Sequence, residues 1–250
     1  IELDRRHATV SVFRGCTGQL FDSATLNATA TLIEALGETV DIPESQSCCG
    51  AISLHSGNRD VTEKTLSNNL AAFGNNDVPI VYIATGCGAV LEEYHHHIPT
   101  AANNAGQANA FSQRCTEVCR YVAQHKNRNR LQFKPMPKKV AVHIPCSLKN
   151  SLQQEHHLLD LLGSIPDIEL VELPSNDTCC GAAGTFMLNH PKLSDALREL
   201  KLEDIQAIKP DLIVSSNIGC LLHIQAGLRA EKSDLEILHP VVLLAGQMMG

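Results

Sequence analysis

Apolar and polar positions along this chain switch between two periods, and the switching itself recurs. Residues 8–14 (ATVSVFR) set Val10 and Val12 two apart, the period of a strand, and the run ends at Gly15-Cys16. Asp22 or Ser23 then offers a cap for a helix through Leu36. Leu26, Leu32, Ile33 and Leu36 share one face of it and Gly37 is its stop. Residues 39–42 read as a short strand before Pro43, and residues 60–73 as a helix. Residues 79–85 (PIVYIAT) read as a buried strand, followed by a helix that begins at Gly86-Cys87-Gly88 and runs into Tyr94. From residue 139 the order returns: strand at 139–144, helix at 152–162, strand at 168–173, helix at 192–208, strand at 211–216 and a helix beyond Gly219-Cys220. Residues 235–238 add a short strand and 241–249 a last helix.

Strands alternating with helices predict parallel sheets. The expected fold class is α/β, as two tandem, pseudo-symmetric Rossmann-like domains with parallel sheets. The first domain is expected over residues 1–125 and the second over 139–250. Residues 126–138, basic and containing Pro135 and Pro137, read as a solvated linker, and residues 101–106 as a small polar loop.

The cysteines reinforce the duplication. Cys48-Cys49-Gly50-Ala51 reappears as Cys179-Cys180-Gly181-Ala182. Cys16 precedes the first pair and Cys87 follows it; Cys146 precedes the second pair and Cys220 follows it. The matched cysteines lie 130, 131, 131 and 133 positions apart, too long a period for a solenoid and right for two domains. Each repeated cysteine falls just after the carboxyl end of an expected strand, the edge where ligands bind in open α/β sheets. Three loops can therefore gather four thiolates from distant parts of the sequence. Helices starting at Cys87 and Cys220 would turn their positive ends toward them. Successive side chains of an extended chain diverge, so a Cys-Cys pair shares a site only if the backbone bends, which Gly50 and Gly181 permit.

Adjacent cysteines such as Cys48 and Cys49 rarely bond to each other, because disulfide geometry strains a neighbouring pair, and a chain of this size needs no staples. Four thiolates suit an iron–sulfur cluster or tetrahedral zinc. Cys115 and Cys119 have no counterparts; four apart on an expected helix, they read as packing residues rather than a third site. His95-His96-His97 reads as a solvated helix end. His143 and His223, each three residues from a repeated cysteine, are candidates to support or complete the second site.

Charge and composition then narrow the function. A net charge of −7, 4% aromatic residues and no tryptophan argue against a nucleic-acid partner. No apolar run approaches the ~18–20 residues of a membrane span. The chain opens at Ile1 with no visible signal peptide, so one part of a longer protein is expected.

Taken together, these blocks resemble the cysteine-rich (CCG) domain family, to which heterodisulfide reductases contribute a cysteine-rich subunit, and within it most closely the iron–sulfur subunits of glycolate oxidase. The resemblance is carried by Gly15-Cys16-Thr17-Gly18, Cys48 to Ala51 with His55-Ser56-Gly57, Gly86-Cys87-Gly88 and Glu92-Glu93-Tyr94. In the second half it is carried by His143 to Cys146, Glu172-Leu173-Pro174, Cys179 to Thr185, Gly219 to Leu222 and His239-Pro240. It implies that Cys16, Cys48, Cys49, Cys87, Cys146, Cys179, Cys180 and Cys220 ligate [4Fe–4S] clusters, with zinc in one site as the alternative. It also implies an electron-transfer subunit of a 2-hydroxy-acid (glycolate) oxidase complex, relaying electrons from a flavin subunit toward quinone without a catalytic residue of its own. The implied partners are the flavin subunit and a ferredoxin-like domain preceding this chain. The implied compartment is the cytoplasm, with peripheral contact at the inner membrane as an option. A zinc-stabilised docking module and a catalytic disulfide reductase are the competing readings. Val90 and His223 stand where heterodisulfide reductases have a further cysteine, which counts against a five-cysteine cluster and disulfide reduction. Ile144, Ser147 and Ile218 also depart from the family's usual residues around the cysteines.

Overall fold

The computed structural model describes residues 8–97 and 105–249. The chain forms two compact units, Ile1–Arg130 and Leu131–Gly250, each built on a four-stranded sheet. In the first, β1 (Val10–Phe13), β2 (Val40–Asp41), β3 (Ile80–Tyr82) and β4 (Cys115–Glu117) pair in the order β2-β1-β3-β4, every pair parallel. In the second, β5 (Lys139–His143), β6 (Glu169–Glu172), β7 (Leu212–Ser215) and β8 (Ile237–Leu238) pair in the order β6-β5-β7-β8, again all parallel. The expected α/β class and the likeness of the two halves are therefore present, with helices joining the strands.

This strand order decides where a site can form. The chain leaves β1 toward β2 and then returns to place β3 on the other side, so two connections diverge at the carboxyl ends of β1 and β3. That switch point opens a crevice, and the same holds between β5 and β7.

The cores behind these edges differ in kind. In the first unit Phe13, Phe73 and Phe111 form a chain of ring contacts, with centroids 5.9 and 5.7 Å apart, and Tyr94 stacks on Phe111 at 5.0 Å. The second unit packs aliphatic side chains instead, among them Val140, Val142, Leu161, Ile213, Val214, Ile224 and Leu244, all essentially inaccessible. Helix Ser23–Ala35 begins as expected. The Asp22 carboxylate accepts from the Thr25 N–H at 3.3 Å, and Gly37 follows the end with φ of 87°.

Several expectations need correction. Cys115 and Cys119 do not share a helix: Cys115 opens β4, and Cys119 lies in helix Val118–Gln124, which the Glu117 carboxylate caps. Both are buried. The three-residue strand has no glycine or proline to punctuate it, so the preceding helix pattern runs through it. Of the supposed loop at residues 101–106, residues 101–104 lie outside the described residues, and Ala105 and Gly106 begin helix Ala105–Arg114. Residues 126–138 are not a solvated loop. Arg128–Arg130 form a 3-10 turn, and Leu131, Phe133 and Met136 bury their side chains. The helix expected at residues 152–162 begins at Glu155, after a wide π turn at Ser147–Leu152. Among the described residues, no helix is long and apolar enough to cross a membrane.

The helix Thr85–Leu91 that carries Cys87 is seated by a close approach. A side chain on Gly88 would run into the Tyr82 ring, whose hydroxyl donates to Glu92 Oε1 at 2.7 Å just past the helix end. Replacing Gly88 with Ala is expected to destabilise the protein by about 1–3 kcal/mol, the usual cost of overpacking. Urea denaturation would show this as a lower midpoint with an unchanged slope; an unchanged midpoint would mean that Tyr82 can swing aside.

Candidate metal centres

Two cysteine sites sit at the two switch points, one in each unit. Each is assembled by an amide that ties the first cysteine's loop to the sheet. In the first unit Gln46 Oε1 accepts from the backbone N–H of Arg14 at 2.8 Å and of Gly15 at 3.3 Å, while its Nε2 donates to the Val12 carbonyl at 3.1 Å. In the second, Asn176 does the same with the Ile144 N–H and the Val142 carbonyl, both at 3.0 Å. Each amide thus continues the ladder past the end of the strand and fixes where the cysteine pair's loop crosses β1 or β5.

The pair itself turns on a glycine. Gly50 and Gly181 have φ of 86° and 90°, a region costly for any residue with a Cβ. The turn aims the Gly50 N–H at Cys48 Sγ, 3.5 Å away, and the Gly181 N–H at Cys179 Sγ, 3.3 Å away. At Gly181 a Cβ would also lie 2.5 Å from the Ser194 carbonyl oxygen. Ser53 and Ser194 hydroxyls donate to the Gly50 and Gly181 carbonyls, each at 2.9 Å, and hold both turns from behind.

The remaining cysteines arrive from the neighbouring strands. Cys16 lies in helix Gly15–Phe21, an element the sequence pattern did not announce, and Cys146 immediately precedes the π turn. Cys87 and Cys220 are each the third residue of helices Thr85–Leu91 and Ile218–Ala230, so both sit within the positive first turn. Cys16 Sγ donates to Cys48 Sγ at 3.8 Å, and Cys49 hydrogen-bonds with both Cys48 and Cys87. In the second unit the Cys180 thiol shares its one proton between Cys220 Sγ, 2.9 Å away, and Cys179, to which Cys146 also donates. All eight repeated cysteines are therefore brought into two groups of four; Cys115 and Cys119 join neither.

Proton sharing among these sulfurs is uneven. The Cys16 thiol, then that of Cys49 and the Gly50 N–H hold Cys48 well below the usual thiol range; Cys146, Cys180 and Gly181 do the same for Cys179. The donors Cys16, Cys49, Cys146 and Cys180 are correspondingly pushed up. Cys220 is lowered as well, first by Cys180 and then by the Asn217 amide, whose Nδ2 stands 3.3 Å from its sulfur. In each group the proton is thus lost most readily at a half-buried sulfur, Cys48 or Cys179, while Cys49, Cys180 and Cys220 are buried.

The surroundings of the two sites differ. Phe13 ends β1 where His143 ends β5. The His143 ring hydrogen-bonds with Ser215 Oγ at 2.9 Å, and its ligating atom and the sulfurs of Cys180 and Cys220 all lie within 4.8 Å of one another. Burial, then the charge of Lys201, lowers its pKa to about 3, so it stands as a neutral imidazole able to bind a metal. His223 turns to Ser194 Oγ, 3.1 Å away, rather than to the sulfurs. His95, His96 and His97 occupy the short helix Tyr94–His97, with only His96 fully exposed, and join neither group.

Two further buried residues escaped sequence reading. Asn69, fully inaccessible, donates to the Cys48 carbonyl at 2.8 Å and accepts from the Ser47 N–H at 2.8 Å; the Tyr94 hydroxyl closes this network on the Cys49 carbonyl at 2.9 Å. At the matching place in the second unit stands Lys201, also fully inaccessible. A lysine on a charged helix reads as solvated, but Lys201 shares a face with Ser194 and Ile205, seven before and four after it, and that spacing marks the buried side.

Comparison with known proteins agrees with the duplication. The profile of the cysteine-rich domain family CCG matches residues 10–92 and again 140–225. The chain is 32% identical over 229 residues to the "Probable glycolate oxidase iron-sulfur subunit" of Bacillus subtilis, covering 89% of this chain and 50% of that protein. It is 27% identical to "Lactate utilization protein A" of Geobacillus thermodenitrificans, covering 92% of this chain and 95% of that protein. It is 29% identical to the "Glycolate oxidase iron-sulfur subunit" of Escherichia coli, covering 93% of this chain and 58% of that protein. The chain thus spans little more than half of the glycolate oxidase relatives. A solved structure, that of a hypothetical protein from Helicobacter pylori, superposes with a TM-score of 0.57 over 95% of this chain and 49% of its own, at 14% identity, a likeness of fold.

Uneven proton sharing sets an order of reactivity. In reduced, metal-free protein, iodoacetamide is expected to label Cys48 and Cys179 first, and at pH values below the ordinary thiol pKa of about 8.5. Cys119, inaccessible and pushed up by burial, should stay unlabelled until the protein unfolds. Peptide mapping after timed labelling checks both; equal labelling of Cys119 and Cys48 would contradict the arrangement.

Proposed function

The chain belongs to the cysteine-rich CCG domain family, and from this premise we infer that it is an iron–sulfur electron-transfer subunit of a complex that oxidises a 2-hydroxy acid of the glycolate or lactate class. Electrons would enter from a flavin subunit and leave toward quinone. The observation that carries the reading is the gathering of four cysteines at the switch point of each of two parallel sheets, with glycine N–H groups aimed at the sulfur that gives up its proton most readily.

The donor set fits such a group. Cys16, Cys48, Cys49 and Cys87 would hold one cluster, and Cys146, Cys179, Cys180 and Cys220 the other, as [4Fe–4S] centres. Cysteine thiolates are the standard ligands of these clusters, and hydrogen bonds to the sulfurs and burial tune their potentials. A bound cluster supplies one-electron storage at the sheet edge. The chain's own residues do the rest. The Gly50 and Gly181 amides and the Asn217 amide donate to ligand sulfurs. The buried Cys49, Cys180 and Cys220 keep water from the inner face. No proton has to be moved, so no general base is required. Leu20 and Phe21, 71% and 68% exposed, lie on the helix of Cys16, while Leu188, Leu193 and Leu222 are exposed in the second unit. On each unit separately, these apolar side chains support the reading of a docking patch for a redox partner. A ferredoxin-like domain preceding this chain, and a cytoplasmic position with peripheral membrane contact, belong to the same proposal.

Zinc is the second reading, and one edge of the first site has its spacing, although no three of that site's sulfurs lie within 4.8 Å of one another. A tetrahedral Zn–S₄ centre with bonds of about 2.3 Å has sulfur–sulfur edges of about 3.8 Å. Cys16 and Cys48 stand 3.8 Å apart. At 2.9 Å, Cys180 and Cys220 are too close for two ligands of one ion and must separate to admit any metal.

Metal and acid-labile sulfide analysis with EPR on anaerobically purified protein tests these readings. About four irons and four sulfides per site, with a signal on reduction, is the expected result. Changing Cys49 to Ala should abolish only the first site and changing Cys180 to Ala only the second. Zinc at both sites with no EPR signal would replace the relay by a structural docking module.

A further inference from the structure

Helix Pro191–Ile208 runs behind the second cysteine site and carries Lys201, whose side chain is 0% exposed. Its ammonium donates to the Ser175 carbonyl, to Ser175 Oγ at 3.1 Å and to the Thr178 carbonyl at 2.8 Å. Two carbonyls and a hydroxyl meet the three N–H bonds of an ammonium. Ser175 and Thr178 belong to the loop that delivers Cys179 and Cys180, so the charge sits directly under the cysteine pair. Burial lowers the Lys201 pKa, while the sulfurs of Cys180, Cys179 and Cys220 and the Asp204 carboxylate, which accepts from the Ser175 N–H at 2.7 Å, favour its charged form.

The first site carries no such charge at the matching place. Its corresponding helix, Arg59–Phe73, sets Asn69 there, which ties the same loop to Tyr94 through neutral hydrogen bonds. The scaffold therefore does not need a cation at this position, since an amide performs the same anchoring. What the lysine adds is a unit positive charge in a buried place, where screening by water is weak.

Resting on the iron–sulfur reading of the second site, we propose that Lys201 is a charge-compensating residue that raises the reduction potential of the cluster held by Cys146, Cys179, Cys180 and Cys220. Each reduction adds one electron to a centre already surrounded by thiolates and changes no covalent bond. A fixed cation stabilises both states of such a centre, and the reduced, more negative one by more. The second site is thereby a stronger electron acceptor than it would be without the lysine.

The test is a potentiometric titration followed by EPR. It is made in protein carrying Cys49→Ala, so that only the second site contributes, and with iron and sulfide measured on every sample. Lys201→Gln keeps a hydrogen-bonding side chain without the charge; Lys201→Met keeps the length and removes both. Both variants are expected to shift the equilibrium toward the oxidised cluster at least tenfold, a fall in midpoint of about 59 mV or more for a one-electron couple. Full iron and sulfide with an unchanged midpoint in Lys201→Gln would overturn the proposal, leaving Lys201 an anchor like Asn69. A fall in Lys201→Met but not in Lys201→Gln would overturn it in the same way. Absence of iron in the second site before any change at Lys201 would overturn the cluster reading and the inference with it. The two failures are told apart by the metal analysis.

Discussion

The sharing of protons among four crowded sulfurs is the interaction around which each unit is arranged. Four cysteines confined to one sheet edge cannot all be thiolates without compensation, and at most a few kcal/mol of it can come from hydrogen bonds. Every feature near the sites addresses this. Thiols lend protons to Cys48 and Cys179, glycine amides point at the same sulfurs, and helix starts lie under Cys87 and Cys220. What remains uncompensated is an affinity for a cation. The parallel topology matters because it brings three loops from three strands to one edge, with the backbone beneath them fixed by the Gln46 and Asn176 amides.

How much of this could be read from residues alone depended on the range of the signal. The cysteine period stood out because it is a chemical repeat, independent of local conformation. Long strands and helices such as those ending at Phe13 and Ile208 were legible because their apolar spacing spans several residues. What escaped was short or three-dimensional. The helices Gly15–Phe21 and Ala51–His55 are set by the cysteine loops rather than by an apolar face. Strand β4 has three residues and borrows its conformation from β3. The solvated-loop reading of residues 126–138 failed because its basic residues concealed Leu131, Phe133 and Met136, which pack inward. Asn69 and Lys201 escaped for another reason. Their importance comes from a partner loop more than twenty residues away, and neither type is expected in a core.

Duplication has left two versions of one design. The amide clamp, the left-handed glycine and the serine behind it recur with almost the same distances, so the backbone frame is common property. The side chains facing the sulfurs have diverged: Phe13 against His143, and Asn69 against Lys201. One site is walled by an aromatic core and neutral amides, the other by an imidazole, a hydroxyl and an ammonium. Substitutions that leave the frame alone but alter its electrical lining are the route by which two copies of a centre acquire different tasks without refolding.

Burial of the two unmatched cysteines has its own consequence. Cys115 and Cys119 are both buried and belong to neither group, whereas each group keeps accessible sulfurs, Cys16, Cys48 and Cys87 in one and Cys146 and Cys179 in the other, so a metal ion meets the groups first on the folded protein. The fold thus performs a sorting step before any metal arrives: it withdraws the thiols that could capture iron or zinc in the wrong combination. Loading can then follow folding, because the finished protein offers few incorrect ligand sets to escape from.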